Sequence, residues 1–518
     1  MTSILHLRTQ GFLREHLIEL LRQARADGFE AVNIHWERFP HSFEPEPAHS
    51  PEDVRAVDAA CEEFGLEVIP ASHSFTHSGD LMRLPAFKHL KDGGDSLELT
   101  DSRTLEIMTL IAKELKAAHP LARTVHMGGD EIFRYATNPA SNRYVVDHGR
   151  SALYVDFVNR LAAELRKLDL RLAIWSDMLI RYPEKATTID RSILIFYWDY
   201  WSRGERSPFA TVGGGMQDIF ILDRAAITGD LQTLLFSHLA REGREIPLGH
   251  WREFARYWQV DPQEKSVRSF SYCEWFRDLG LEHVASLLTI PEKGSFLPPV
   301  AQKLDHMRGF IRRSQAAGGV GWMSCSWGDY WPPIAMFRPG FLVAQAIAAH
   351  PDADDAAVYA AAARQLGAPW TQAALQGWCE AGAHVEFADM LDPNWGATPI
   401  GHRLDWLAKA DLLEDDLARA KAAAGRCEAL LSGSMVNFPA EGWERFALED
   451  MAWRCRLETA CHSRDCEQLQ QLTAQGHTLR QRATRIFAQW WPAAAVEARV
   501  AKRYNSWEEA ASAALTSP

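Results

Sequence analysis

The sequence is defined first by what it does not contain. No apolar run approaches the roughly 18 residues that a membrane-spanning helix needs. The opening residues, Met1 to Arg8, lack the basic start and long apolar stretch of a signal peptide. Positive charge is in deficit: 55 Lys and Arg stand against 68 Asp and Glu, giving a net charge of −13. That balance argues against nucleic acid or an anionic membrane surface as partner. The eight cysteines form no C-x-x-C pair. Cys455, Cys461 and Cys466 lie near His462, but their spacing suits no standard zinc site and the segment reads as helix, so ordinary packing is expected there. A reduced, cytoplasmic protein follows as the expectation. There is no internal repeat and no low-complexity tract. No H-E-x-x-H or similarly tight metal spacing occurs, and no metal or cofactor is expected.

What remains is an ordinary globular composition, 47% hydrophobic and 24% charged. The chain is longer than one average domain, which favours one large barrel plus a further domain. Short apolar runs alternate with amphipathic helices. Strands are expected at Ser3–Arg8, Glu30–Trp36, Leu66–Pro70, Leu121–His126, Arg171–Trp175, Ile193–Trp198, Asp218–Leu222 and Val320–Ser324. Helices are expected at Phe12–Arg25, Pro51–Phe64, Asp101–Ala118 and Ser151–Leu168, the second with Ser50 as N-cap and Pro51 at its first position. Eight strands with intervening helices predict an α/β fold, a parallel (β/α)8 TIM barrel. A doubly wound sheet would need a Gly-rich phosphate turn, and none follows the early strands. The barrel is expected over residues 1–340, with a helical insertion around 223–318. The Ala-, Leu-, Arg- and Glu-rich remainder, 341–518, reads as a mainly helical C-terminal domain.

Val125-His126-Met127-Gly128-Gly129-Asp130-Glu131 carries the most information. Consecutive side chains on a strand point to opposite faces, but at the exit into a glycine-bearing loop both carboxylates can converge on one cavity. Two nearby carboxylates do not both ionise cheaply, so one becomes a proton donor at neutral pH. The C-terminal end of a barrel strand is where this fold keeps its chemistry. Trp36, Trp175, Trp198, Trp201 and Trp327 fall at or just beyond expected strand ends, where aromatic rings suit the apolar C–H faces of a pyranose. Tyr197-Trp198-Asp199 and Trp327-Gly328-Asp329 add polar groups at such ends. Glu37, His35, His73, His77 and His126 make a His-rich rim that could also bind a metal.

His126-x-Gly128-x-Asp130-Glu131 resembles the signature of family-20 β-N-acetylhexosaminidases, and the run from Glu67 to Leu90 resembles the hexosaminidase D branch. The resemblance covers roughly residues 1–340. It implies that Glu131 is the general acid and that Asp130 orients the substrate's 2-acetamido group. The carbonyl oxygen of that group then attacks C1 to give an oxazolinium intermediate, a substrate-assisted departure from the two-carboxylate rule. It further implies that Tyr197 bonds the acetamide, that Trp327 forms part of the box around it, and that His77 supports the carboxylates; Trp175-Ser176-Asp177 resembles the family's Trp-Asp-Glu with a different middle residue. Asn33 to Glu37 would line the pocket. Trp327-Gly328-Asp329 resembles the family's Trp-x-Glu with a shorter acid, Asp329, which would bear on the choice between galacto and gluco epimers. The expected partner is a glycan or small molecule with terminal β-linked N-acetylhexosamine; a homodimer is compatible with the sequence. Two other readings stay open. One is a retaining glycosidase whose own nucleophile is Asp177, Asp199 or Asp329, about 5 Å from Glu131. The other is a non-catalytic sugar-binding barrel.

Overall fold

The computed structural model describes residues 1–9, 11–39, 42, 48–72, 74–132, 134–213, 218–227, 240–289, 297, 300–326, 334–382, 408, 413–433 and 436–516. Eight parallel strands close into a barrel in chain order: β1 (Thr2–Arg8), β2 (Ala31–His35), β3 (Glu67–Ala71), β4 (Thr124–His126), β5 (Arg171–Trp175), β6 (Leu194–Trp198), β7 (His283–Leu288) and β8 (Gly321–Cys325). Closure runs through β1, which sets Arg8 opposite His35 of β2 and Ile4 opposite Met323 of β8. With the large helical part that follows, this is the TIM barrel plus C-terminal helical region expected from the pattern.

Local chemistry fixes the crossovers. In the helix Pro51–Phe64, Ser50 and Asp53 satisfy each other's backbone N–H groups, and Gly65 ends the helix at φ 69°. Asp101 caps Ser102–Ala118. Strand alternation then sorts side chains into two layers. Ile4, Ala31, Ile69, Ala173, Phe196, Val284 and Met323 fill the barrel interior. Leu5, Val32, Val68, Val125, Leu172, Ile195 and Trp322 face the helices. Burying each of the larger ones stabilises the fold by roughly 1.5–3 kcal/mol.

The seventh strand is not where the sequence pattern put it. Ile219–Ile221 is a strand, but it pairs antiparallel with Phe209–Thr211 in a small sheet outside the barrel. The barrel's seventh position belongs to His283–Leu288, inside the interval expected to be a helical insertion. Both are short apolar runs, and periodicity cannot say which sheet a run will join. The excursion therefore lies between β6 and β7. It mixes that small sheet, a two-stranded pair of Arg206–Ser207 with Val267–Arg268, and the helices Leu248–Trp258 and Tyr272–Asp278. The helix Val300–Ala316, in the expected insertion, is the ordinary crossover from β7 to β8.

The helix Arg338–Ala349 straddles the expected boundary at residue 340 and closes the barrel. Arg338 forks onto Asp27, and Phe341 meets Phe29 with ring centroids 6.2 Å apart. Beyond it come Asp355–Leu366, Gln372–Gly382, Leu413–Leu431, Trp443–Ser463, Cys466–Phe487 and Ala493–Thr516. Cys455 is buried inside one of these helices, and all eight cysteines are free. The buried Asp450 is paired with Arg503 and accepts the Tyr504 hydroxyl at 2.7 Å, which spares the bundle an uncompensated charge. The turn between the last two helices docks on the barrel. The Leu13 N–H donates to the Trp490 carbonyl at 2.9 Å, and Trp491 stacks on Phe12 at 4.8 Å. Among the described residues no helix is long and apolar enough to cross a membrane.

Candidate active site

The exit of β4 is built on backbone that only glycine takes easily. Gly128 and Gly129 sit at φ 70° and 92°. A Cβ on Gly128 would overlap Ser74, and one on Gly129 would fall 2.7 Å from the Tyr154 hydroxyl and 2.8 Å from Phe75. The same close approach makes bonds. The Gly129 N–H donates to Ser74 Oγ at 3.1 Å and Thr76 Oγ1 at 3.2 Å, and the Tyr154 hydroxyl donates to the Gly129 carbonyl at 2.9 Å. Glu131 itself is left-handed, at φ 53°. Three departures from strand geometry thus bring Asp130 and Glu131 to one place.

His77 joins them. Its Nε2 lies 3.5 Å from Asp130 Oδ2 and 3.4 Å from Glu131 Oε2, and its Nδ1 lies 3.2 Å from Asp95 Oδ2. The Asp130 charge, against the opposing effect of burial, holds the imidazole well above its ordinary value, with hydrogen bonds to Asp130, Asp95 and Glu131 adding to it. His77 is therefore a cation at neutral pH. Burial is the largest influence on Asp130 and opposes its ionisation; the His77 charge and hydrogen bond outweigh it, and the Asp130 carboxyl is held below its ordinary value. Thr76 Oγ1 also donates to Asp130 Oδ1 at 3.2 Å. Donor atoms of His77, Asp130 and Glu131 lie within 4.8 Å of one another, and among the described residues they are the group able to hold a metal ion.

Asp177, two residues past β5, underlies the pair. Its Oδ2 accepts the Glu131 N–H at 2.7 Å and its Oδ1 accepts Trp198 Nε1–H at 3.4 Å. It is fully buried, and burial together with the nearby Asp130 charge pushes its carboxyl up to about 8. Both effects favour its neutral form.

The aromatic groups divide by strand parity. Trp175 and Trp198 point inward. Trp175 meets the His126 ring edge-on at 4.6 Å, and Trp198 lies 5.9 Å from Trp201. His126 is buried beneath the turn, where its Nδ1 accepts the Gly128 N–H at 3.2 Å. Burial lowers its pKa to about 4, so it is a neutral prop for the loop rather than a charged wall of the pocket. Tyr197 departs from the expectation. It is one residue out of phase with Trp198 and points to the helix side of β6, among Tyr272, Phe276 and Phe310. Trp36 likewise faces outward and donates to His119 Nε2 at 2.8 Å. Asp199 is buried and occupied by its own loop, accepting from the N–H groups of Trp201 and Ser202 and from the Ser202 hydroxyl. Burial raises its pKa despite those bonds. Glu37 sits at the mouth two residues past β2. Burial raises its carboxyl against the charges of Arg8, Arg499 and Arg38. His73, Trp327 and Asp329 lie outside the described residues. Sequence reasoning missed Thr76, Asp95 and Tyr154, and held Asp177 only as a possible nucleophile. Nothing in their local sequence marks them: Thr76 and Tyr154 reach the exit of β4 from other elements, and Asp95 meets His77 across 18 residues of the same long loop region.

Residues 46–216 match the family model described as the glycosyl hydrolase family 20 catalytic domain. The chain is similar to family 20, on its hexosaminidase D side. It is 25% identical to Hexosaminidase D of Homo sapiens over 201 residues, 36% of this chain and 41% of that protein. It is 23% identical to Hexosaminidase D of Bos taurus over 201 residues, 36% of this chain and 58% of that one. The chain thus spans roughly half the length of these curated relatives. Among solved structures it is similar to Dispersin B (15% identity, TM-score 0.41, covering 63% of this chain and 92% of that one). It is also similar to the Flavobacterium johnsoniae chitobiase (12% identity, TM-score 0.45, covering 99% and 78%).

Proposed function

We propose that this chain is an exo-acting, retaining β-N-acetylhexosaminidase that releases terminal β-linked N-acetylhexosamine through the substrate's own acetamide. The observation that carries the reading is the convergence of Asp130 and Glu131 on one cationic imidazole at the exit of β4. Glu131, the more exposed of the two at 28% against 16% for Asp130, protonates the glycosidic oxygen. Asp130, kept ionised by His77, orients the acetamide and stabilises the positive charge that develops on the oxazolinium ring. His77 holds both in register. Trp175, Trp198 and Trp201 offer apolar faces to the sugar.

A protein nucleophile is the competing mechanism, and the geometry of the described carboxylates speaks against it. Asp177 is buried and bonded to the Glu131 N–H, and burial with the Asp130 charge raises its carboxyl and favours its neutral form; a neutral acid is a poor nucleophile. Asp199 is occupied by Trp201 and Ser202. Preference for N-acetylgalactosamine over N-acetylglucosamine is part of the proposal through Asp329, a residue outside those described. The deciding experiment pairs aryl β-N-acetylgalactosaminide and β-N-acetylglucosaminide with matched glycosides bearing a plain 2-hydroxyl. Hydrolysis of the acetamido sugars alone, with strong inhibition by a thiazoline mimic of the intermediate, is the expected result. Rapid turnover of the 2-hydroxyl sugars would overturn the acetamide mechanism.

A further inference from the structure

The helix Val300–Ala316 plays no part in the chemistry above, yet one of its faces carries buried polar groups that a plain crossover does not need. Lys303, His306 and Gly309 recur every three residues and so lie along one side of the helix. That side meets alternate carbonyls of the loop after β6. Lys303 Nζ donates to the Tyr200 carbonyl at 2.9 Å, and His306 Nδ1 lies 2.8 Å from the Ser202 carbonyl. A Cβ on Gly309 would fall 2.7 Å from the Gly204 carbonyl oxygen, so a larger residue there would push helix and loop apart. Lys303 and His306 are both buried. Burial lowers the His306 pKa to about 3, so the ring is neutral, and Nδ1 carries its proton because a carbonyl can only accept. Burying an amine and an imidazole is costly unless their donors are used. Asp199 holds the same loop from within, accepting the N–H groups of Trp201 at 3.0 Å and Ser202 at 2.9 Å.

We propose that Lys303 and His306 are positioning residues for substrate binding: through the Tyr200 and Ser202 carbonyls they set the aromatic cluster of Trp198, Tyr200 and Trp201 against the sugar. This rests on the reading of that cluster as a wall of the sugar pocket. The three rings lie against one another, with centroids 5.1 Å apart for Trp198 and Tyr200, 5.9 Å for Trp198 and Trp201, and 6.0 Å for Tyr200 and Trp201. All three belong to the barrel-interior cluster that also holds Trp175. Trp198 is fixed by the strand it ends and by its Nε1–H on Asp177 Oδ1. Tyr200 and Trp201 lie beyond the strand, where no ladder holds them. Side chains place their backbone instead: Asp199 from inside the loop, Lys303 and His306 from the helix behind it. A stacking ring is useful only at the right distance and tilt, so a loop that carries two of them gains from being held on both sides.

The test is made on the full chain, by hydrogen–deuterium exchange of residues 200–205 together with steady-state kinetics on an aryl β-N-acetylhexosaminide. Lys303→Met keeps the stem and removes the donor, and His306→Leu removes the imidazole. Each is expected to speed exchange of the Trp201 and Ser202 N–H groups about tenfold or more, while segments from β5 and β8 keep wild-type rates. Each is also expected to raise KM about threefold to tenfold with kcat changed less than about twofold, the mark of lost binding rather than lost chemistry. His306→Asn, whose amide offers a donor near the Nδ1 position, is expected to restore most of both. Wild-type exchange in folded Lys303→Met and His306→Leu overturns the proposal, and so does faster exchange with an unchanged KM. Faster exchange that spreads through the barrel strands, or a fall in kcat that His306→Asn does not rescue, marks a merely structural role and overturns it as well. A wild-type chain inactive on the aryl glycosides would sink the hexosaminidase reading, and the exchange rates would still decide whether the two residues place the loop. Should Lys303→Met fail to fold, His306→Leu and His306→Asn make the same comparison.

Discussion

β4 and β6 both end in a short motif with an aromatic or imidazole ring and an acid, yet only one of them delivers its acids to a common point. At β4, Gly128 and Gly129 leave strand geometry at once, Glu131 follows with a positive φ, and two consecutive carboxylates meet at His77. At β6 the strand stays regular. Tyr197 is turned out to the helices, Trp198 in to the pocket, and Asp199 is spent on its own loop. Acids of similar spacing thus take opposite fates. The difference is backbone: alternation is obeyed unless glycine breaks it, and a broken alternation is what lets neighbours in sequence become neighbours in a site.

The largest effect expected from that contrast is at Glu131. Glu131→Gln should lower kcat/KM on a disaccharide by about 10²–10⁴-fold, the usual worth of general acid catalysis, and by less on aryl glycosides whose leaving group needs little protonation. Asp130→Asn should cost about 10²–10³-fold, as loss of a group that stabilises transition-state charge does. Steady-state kinetics on both substrate types measures this; near-wild-type turnover of the disaccharide by Glu131→Gln would remove β4 from the chemistry.

Next in size is the backbone itself. Gly129→Ala places a methyl against Tyr154 and Phe75 in a conformation unsuited to it. The expected loss is about 2 kcal/mol or more of stability, together with loss of activity as the carboxylates are displaced. Denaturant unfolding and kinetics on the same sample report both. An unperturbed Gly129→Ala variant would mean that the turn does not depend on glycine.

The third effect is a pH dependence. The Asp177 carboxyl is raised in the folded chain to about 8 by burial and then by Asp130. A raised pKa contributes stability that is fully present below the unfolded value, about 4, and is lost as pH climbs through the folded value. Asp177→Asn retains an oxygen for the Glu131 N–H and cannot ionise. Its Tm relative to wild type should therefore rise between pH 4 and 8. A constant difference across that range would show that Asp177 is already ionised at low pH, which would return it to the candidate nucleophiles.

The smallest effect is at Tyr197. With its ring among Tyr272, Phe276 and Phe310, Tyr197→Phe should change kcat/KM by less than about threefold, whereas Trp198→Phe, on the inner face, should raise KM. A large loss of turnover in Tyr197→Phe would sink the contrast between the two strands.

The sequence by itself determined a good deal. The cap at Ser50, six of the eight barrel strands in place and in order, the last strand, and the Asp130–Glu131 pair after two glycines are all signals carried by residues close together in the chain. Local physics decides them: a side chain bonding a nearby N–H, a glycine permitting a positive φ, an apolar run too short for a helix. The tertiary structure alone decided the rest. It chose His283–Leu288 over Ile219–Ile221 for the seventh position, because either run is apolar enough and only pairing with β6 and β8 distinguishes them. It turned Tyr197 outward, since a one-residue phase shift along a strand exchanges the faces. It brought Asp177 and Thr76 to the carboxylates from other strands and loops, with Asp95 on the far nitrogen of His77, and it seated Trp490 and Trp491, more than 450 residues away in the chain, against Leu13 and Phe12. Such groupings have no local signature, because what defines them is closure of the barrel and the docking of the helices against it.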